Sequence, residues 1–119
     1  MEYKVSEKIQ KKFGTLTKDA KVQKALQFME NDQNEIIDRQ IELTLIPAPT
    51  NHEQKKAARL LEMFKEEGLT DCHIDEYGNC IGIRKGTGGG KTVLVEGHMD
   101  TVFPLDTKLE IVREDGFIK

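Results

Sequence analysis

The sequence predicts an α/β fold in which N-terminal helices are followed by a mixed β-sheet. Apolar residues recur at helical spacing through roughly the first half of the chain, which is typical of amphipathic helices. Short apolar runs bounded by glycine and turn residues follow in the second half and indicate strands. We expect a helical extension at residues 1–32 and the body of the domain at residues 33–119.

Length and composition describe one small soluble domain. The chain has 119 residues, of which 33% are charged, and its net charge is −3. The negative charge argues against nucleic acid as the main partner, and no apolar run is long enough to span a membrane. Cys72 and Cys80 are too few for a disulfide scaffold, and the N-terminus lacks the apolar core of a secretory signal. We therefore expect a cytoplasmic protein.

Three amphipathic helices are expected before the proline-rich connector that starts at Pro47. They are placed at about residues 5–13, from a cap at Thr17 or Asp19 to Met29, and from Gln33 to Leu45. The third must end before Pro47, because the residue that precedes a proline avoids the helical region. We expect the first helix to be a surface extension and the other two to cover the core.

A fourth helix is expected after the connector. Residues 50–53 have the form of a capping box, in which Thr50 is the N-cap and Glu53 reaches back to it. The helix should end at Gly68, a residue type that favours the position just beyond a helix. His52 lies in the first turn, where we expect an exposed side chain rather than a metal ligand.

A β-hairpin is expected next. Its strands are placed at residues 71–77 and 80–85, joined by the two-residue turn Gly78-Asn79. In that register Tyr77 faces Cys80, so the two cysteines would not lie opposite one another and a disulfide is disfavoured.

The segment 86–92 ends in Gly-Lys-Thr, as phosphate-binding loops do. That fingerprint requires a glycine five positions before Gly90, where Lys85 stands, and a helix immediately afterwards. We interpret the segment as a flexible loop between strands, which leaves a nucleotide-binding domain as the disfavoured alternative.

Polar residues follow directly after an apolar run at residues 93–95, which indicates a buried strand at 92–97. In sheets covered by helices, ligands and metals collect beyond the carboxyl ends of the strands. His98 and Asp100 are two positions apart and therefore point the same way in an extended backbone. A carboxylate that holds one imidazole nitrogen makes the other a better metal ligand. The plainer alternative is a histidine that is merely hydrogen-bonded to its neighbour at a strand end.

Further strands are expected at residues 108–112 and 117–119, with a turn at Glu114-Asp115-Gly116 between them.

Residues 93–104, Val-Leu-Val-Glu-Gly-His-Met-Asp-Thr-Val-Phe-Pro, resemble the first metal motif of the M20 family of metallopeptidases and amidohydrolases. The resemblance covers about residues 33–119 and is specific at 91–104. It implies an incomplete part of a zinc-peptidase catalytic domain. His98 would bind one Zn²⁺ of a two-metal site, and Asp100 would be the catalytic carboxylate that orients His98 without binding metal. Co²⁺ or Mn²⁺ would also suit such a site.

The resemblance implies amide hydrolysis, with small peptides or N-acyl amino acids as substrates. The family's bridging aspartate, its Glu-Glu pair and its remaining ligands have no counterpart in this sequence, so we expect an inactive N-terminal fragment of such an enzyme. Because a sheet without its later strands exposes an edge, two copies would be able to pair as a homodimer. The alternative is a complete, non-catalytic α/β module that docks a partner.

Overall fold

The computed structural model describes residues 5–119. Residues 1–4, the start of the predicted extension, lie outside the described part. The elements are α1 (Glu7–Leu16), α2 (Ala20–Asn31), α3 (Gln33–Leu45), α4 (Gln54–Glu66), β1 (Thr70–Ile74), β2 (Cys80–Ile83), β3 (Arg113–Glu114) and β4 (Phe117–Ile118). The predicted mixture of helices and strands is confirmed. In the described part, however, the strands form two separate antiparallel pairs, β1–β2 and β3–β4, and not one mixed sheet.

The chain divides into two compact units, the first ending at Arg39 and the second covering Gln40–Lys119. In the first unit Asp19 caps α2, because its carboxylate accepts hydrogen bonds from the backbone N–H groups of Lys21 at 2.8 Å and Val22 at 3.3 Å. Of the two predicted caps, Asp19 is therefore the correct one.

The expectation that the second and third helices cover a core is wrong for the described residues. Neither α2 nor α3 contains a buried residue, and Met29 of α2 is 58% exposed. An apolar stripe is buried only where another element packs on it, which periodicity alone does not guarantee. The predicted end of α3 is confirmed, since the helix stops at Leu45, two residues before Pro47.

The core of the second unit lies where α4 packs against β1 and β2. Ala57 and Met63 of α4 are buried, and Gly82 of β2 approaches the helix so closely that an added Cβ would lie 2.8 Å from the Phe64 side chain. The end of α4 is as predicted: Gly68 adopts a left-handed φ of 72°.

The capping box predicted for α4 is wrong. The helix begins at Gln54, and Glu53 occupies the N-cap position without a side-chain cap. The Glu53 carboxylate instead accepts a hydrogen bond from the backbone N–H of Asn51 at 2.8 Å. Thr50 therefore lies outside the helix and its hydroxyl is used elsewhere. His52 is exposed, as expected.

The β1–β2 hairpin is confirmed, but its predicted register is wrong. Ile74 pairs with Cys80, so the connection is a five-residue loop, Asp75–Asn79, and Tyr77 lies inside it. The Asp75 carboxylate closes this loop, because it accepts hydrogen bonds from the backbone N–H of Tyr77 at 3.0 Å and of Asn79 at 2.8 Å. These bonds stabilise the longer loop over a two-residue turn at Gly78-Asn79. Both cysteines are free thiols.

The predicted strands at 92–97 and 108–112 do not form. Residues 91–100 have no regular secondary structure, and Val95 is 89% exposed. An extended run becomes a strand only when a neighbouring backbone completes its hydrogen bonds. Within residues 5–119 no strand pairs with the run at 92–97, and in the run at 108–112 only Val112 exchanges backbone hydrogen bonds with a facing residue, Lys119. The turn after Glu114 is confirmed: Asp115 and Gly116 have φ values of 51° and 79°, as in a two-residue hairpin turn.

Candidate metal-binding site

The His98 and Asp100 side chains form a hydrogen-bonded pair. The imidazole Nδ1 lies 2.8 Å from the carboxylate Oδ1, with His98 86% and Asp100 33% exposed. An ionised carboxylate is only an acceptor, so Nδ1 must carry the proton in this bond. The lone pair of a neutral ring then lies on Nε2, the form of histidine that binds metals. The predicted strand does not present this pair; an irregular segment does.

A second segment of the chain holds the Asp100 region in place. Pro49 and Thr101 form an isolated parallel bridge, and the backbone N–H of Thr101 donates to the carbonyl of Ala48 at 2.7 Å. Ala48 is fully buried. The connector before α4 therefore runs alongside the residues that follow His98.

Thr50 contacts the carboxylate directly. Its hydroxyl Oγ1 donates to Asp100 Oδ2 at 2.7 Å, so each oxygen of Asp100 has its own hydrogen-bond partner. The bond from Thr50 is the main cause of a lowered pKa of Asp100, followed by the bond from His98. Both interactions keep the carboxylate ionised and therefore keep it an acceptor.

Lys56 is a charged residue of the site that the sequence-based prediction missed. It lies in α4, is only 6% exposed and is close enough to Asp100 for the carboxylate charge to raise its pKa in part. Burial has the larger effect, so the pKa of Lys56 is lowered. The spacing of residues in the sequence could have predicted this burial, because Lys56 stands at helical spacing from Leu60 and Met63, on the packed side of α4.

An open cleft of about 400 Å³ lies beside Asp100, between the start of α4 and the loop Asp75–Asn79. Its lining combines polar side chains with apolar ones: Asn51, Glu53, Gln54, Asn79 and Asp100 with Ala57, Ile74, Tyr77 and Met99. Its volume lies within the range of small-molecule sites, so the site has space for a small ligand.

The described residues could supply one ligand of a zinc site, but they do not form a complete site. Within 5–119, no three His, Cys, Asp or Glu side chains lie close enough together to hold a metal ion. The His73 ring lies on the hairpin, with Nδ1 2.8 Å from the backbone carbonyl of Asp71. A catalytic zinc site uses about three protein ligands, of which His98 would supply one.

Comparison with known proteins gives relatives but no matching family model. Proteins named LysW-lysine/LysW-ornithine hydrolase are similar to part of the chain: that of Pyrococcus abyssi is 38% identical over 74 residues, 62% of this chain and 21% of the relative. Those of Thermococcus kodakarensis and Pyrococcus furiosus are 40% and 38% identical over 60 residues, half of this chain and 17% and 18% of the relatives. The matched part of the chain spans about a fifth of the length of these proteins. Its named relatives are thus hydrolases.

None of the helices in residues 5–119 has the length and apolar character that crossing a bilayer demands.

Proposed function

We propose that this chain forms part of a zinc-dependent M20-type amidohydrolase, to which it contributes His98 as a zinc ligand and Asp100 as the carboxylate that orients it. The observation that carries the proposal is the His98–Asp100 hydrogen bond, which leaves an exposed Nε2 lone pair. The resemblance of residues 93–104 to the M20 metal motif and the hydrolase names of the relatives support it.

Zinc, when bound, would polarise the scissile carbonyl and make water a stronger nucleophile near neutral pH. The residues of this chain prepare the ligand. Asp100 retains the proton on Nδ1 of His98 and fixes the ring orientation, which makes Nε2 a better metal ligand. The other ligands and the general base lie, in this proposal, outside the described residues.

The proposed substrates are small peptides or N-acyl amino acids, and the cleft beside Asp100 has room for a molecule of this size. The names of the relatives make lysine and ornithine derivatives of LysW candidates as well. A cytoplasmic location and a homodimer remain predictions from the sequence.

The test uses the protein encoded by the complete gene and measures hydrolysis of dipeptides and N-acetyl amino acids. We expect a zinc chelator to abolish activity and added zinc to restore it. His98→Ala should abolish hydrolysis with little loss of stability, because the exposed ring makes few packing contacts. His73→Ala, another exposed histidine, is the matched control and should retain activity. Hydrolysis that survives both the chelator and His98→Ala would contradict the proposal.

A reading frame that ends at Lys119, with no hydrolysis by its product, would instead favour the non-catalytic interaction module.

A further inference from the structure

We propose that Thr50 is a positioning residue for the His98–Asp100 pair. Its hydroxyl fixes the Asp100 carboxylate, so that the other carboxylate oxygen holds the proton on His98 Nδ1 and leaves Nε2 free. This inference deepens the proposed function and rests on it for its role in hydrolysis. The hydrogen bonds themselves can be tested without measuring hydrolysis.

The two hydrogen bonds at Asp100 act together. Thr50 Oγ1 donates to Oδ2 at 2.7 Å and His98 Nδ1 donates to Oδ1 at 2.8 Å, distances typical of bonds to an ionised carboxylate. The torsion that turns a carboxylate about its Cβ–Cγ bond is soft. The bond from His98 restrains this rotation through one oxygen, and a second bond on the opposite oxygen restrains it further.

The backbone places the Thr50 hydroxyl where it can do this. Pro49, which precedes Thr50, bridges to Thr101, which follows Asp100. The Thr101 N–H bond to Ala48 at 2.7 Å strengthens the junction. Two segments separated by fifty positions in the chain are thus joined immediately next to the threonine and the aspartate.

Capping of α4 does not explain why a threonine stands at position 50. Because α4 begins at Gln54 and Glu53 bonds to Asn51, the threonine hydroxyl has no capping duty. Its observed contact is the Asp100 carboxylate. The requirement at position 50 is therefore a hydroxyl aimed at Asp100, which serine would also meet and valine would not.

The experiment measures the proton position on the His98 ring by ¹⁵N NMR at alkaline pH, where imidazole is neutral. In the wild-type chain we expect the Nδ1–H form to dominate. Thr50→Val, which keeps the shape and removes the hydroxyl, should lower the ratio of Nδ1–H to Nε2–H about threefold, since the pair is exposed to water. Thr50→Ser should restore it. Thr70→Val, which removes a hydroxyl bonded to Ile83 on the hairpin, is the matched control and should change nothing.

The amide signal of Thr101 reports whether the junction is intact, and Thr50→Ala is measured beside Thr50→Val. If either variant keeps the wild-type ratio of Nδ1–H to Nε2–H on His98 while the Thr101 amide signal is unchanged, the proposal is overturned. It is also overturned if both variants lose the junction while Thr50→Ser keeps it, because the role of Thr50 is then structural. Absence of zinc-dependent hydrolysis in the wild-type protein would refute the proposed function and leave the ring ratio unaffected, so the two failures are distinguishable.

Discussion

Lys56 is the least expected side chain in the second unit, because a lysine is seldom buried without a partner charge. Here the partner is the nearby Asp100 carboxylate, whose charge offsets part of the desolvation of the ammonium group. Burial still lowers the pKa of Lys56. The folded protein therefore holds this proton less tightly than the unfolded chain does.

That difference makes stability depend on alkaline pH. Since the unfolded chain binds the Lys56 proton more tightly, the free energy of unfolding should rise with pH between the lowered pKa and the ordinary value of about 10.5. Lys56→Met should remove this rise. At neutral pH the variant should be as stable as the wild type, or more stable by up to about 1 kcal/mol, because an apolar side chain has no charge to desolvate. Urea unfolding at several pH values measures both effects.

The control for Lys56→Met is Lys55→Met, a change at the adjacent and exposed lysine of α4. This variant should still show the rise in the free energy of unfolding at alkaline pH. If Lys56→Met keeps the rise, a group other than Lys56 causes it. If the variant instead loses several kcal/mol of stability at neutral pH, the attraction between Lys56 and Asp100 outweighs the cost of desolvation.

Among the elements, α4 and the β1–β2 hairpin depend on one small residue for their close packing. A Cβ at Gly82 would lie 2.8 Å from both the Phe64 ring and a Leu69 methyl group, and 3.3 Å from the Leu69 Cβ, which cannot swing away. Gly82→Ala should therefore lower the free energy of unfolding by about 1 kcal/mol, the net of overpacking and reduced unfolded-state entropy. Chemical denaturation measures the change.

Gly86→Ala is the matched control for this substitution. Within residues 5–119, a Cβ added at Gly86 would have no atom within 4 Å beyond its chain neighbours, and the φ of Gly86 is not left-handed, so the variant should be neutral or slightly more stable. Equal stability of Gly82→Ala and Gly86→Ala would show that the hairpin moves away from α4 at no cost.

Helix limits were predictable from the sequence because their determinants are local. Asp19 caps α2 with its own carboxylate, Pro47 terminates α3 from two residues away, and Gly68 ends α4 by adopting a left-handed φ. Strands are different, because their hydrogen bonds come from residues distant in sequence. The run Val93–Val95 has strand composition, yet nothing in residues 5–119 pairs with it.

The site was predictable only in part, for the same reason. His98 and Asp100 are near neighbours, so their contact follows from spacing, and the structure contains it. Thr50 forms a box-like pattern with Glu53, which local rules assign to a helix cap. Only the junction of Pro49 with Thr101 redirects that hydroxyl to Asp100, and no periodicity in the sequence encodes the junction.

At the scale of the whole molecule, many large apolar side chains of the described residues are exposed to solvent. In the second unit only Ala48, Ala57 and Met63 are buried apolar residues, whereas Val93–Val95 are each at least 80% exposed. Contiguous exposed apolar residues of this kind mark surfaces that another polypeptide covers. This agrees with the proposal that the chain works within a larger hydrolase, because the relatives named as hydrolases are about three times as long as this chain.

The metal affinity of the chain by itself follows from the same incompleteness. Complete four-ligand zinc sites in small domains gain about 10–16 kcal/mol, or roughly 2.5–4 kcal/mol for each ligand. A single imidazole such as His98 should therefore bind zinc no tighter than roughly micromolar to millimolar, since about 4 kcal/mol corresponds to a millimolar dissociation constant. Competition with a chromophoric chelator measures this value for the 119-residue chain.

The His98→Ala chain decides which residue is responsible for that weak binding. If His98 is the ligand, the His98→Ala variant should lose most of this binding. His73→Ala should lose little, because the His73 ring is paired with a backbone carbonyl and not with a carboxylate. Nanomolar binding by the wild-type chain requires at least two further ligands, and the described residues bring no such group together. Such tight binding would therefore mean either that chains associate to share ligands or that the segment around His98 rearranges on binding. Concentration dependence separates these cases, because only association weakens on dilution.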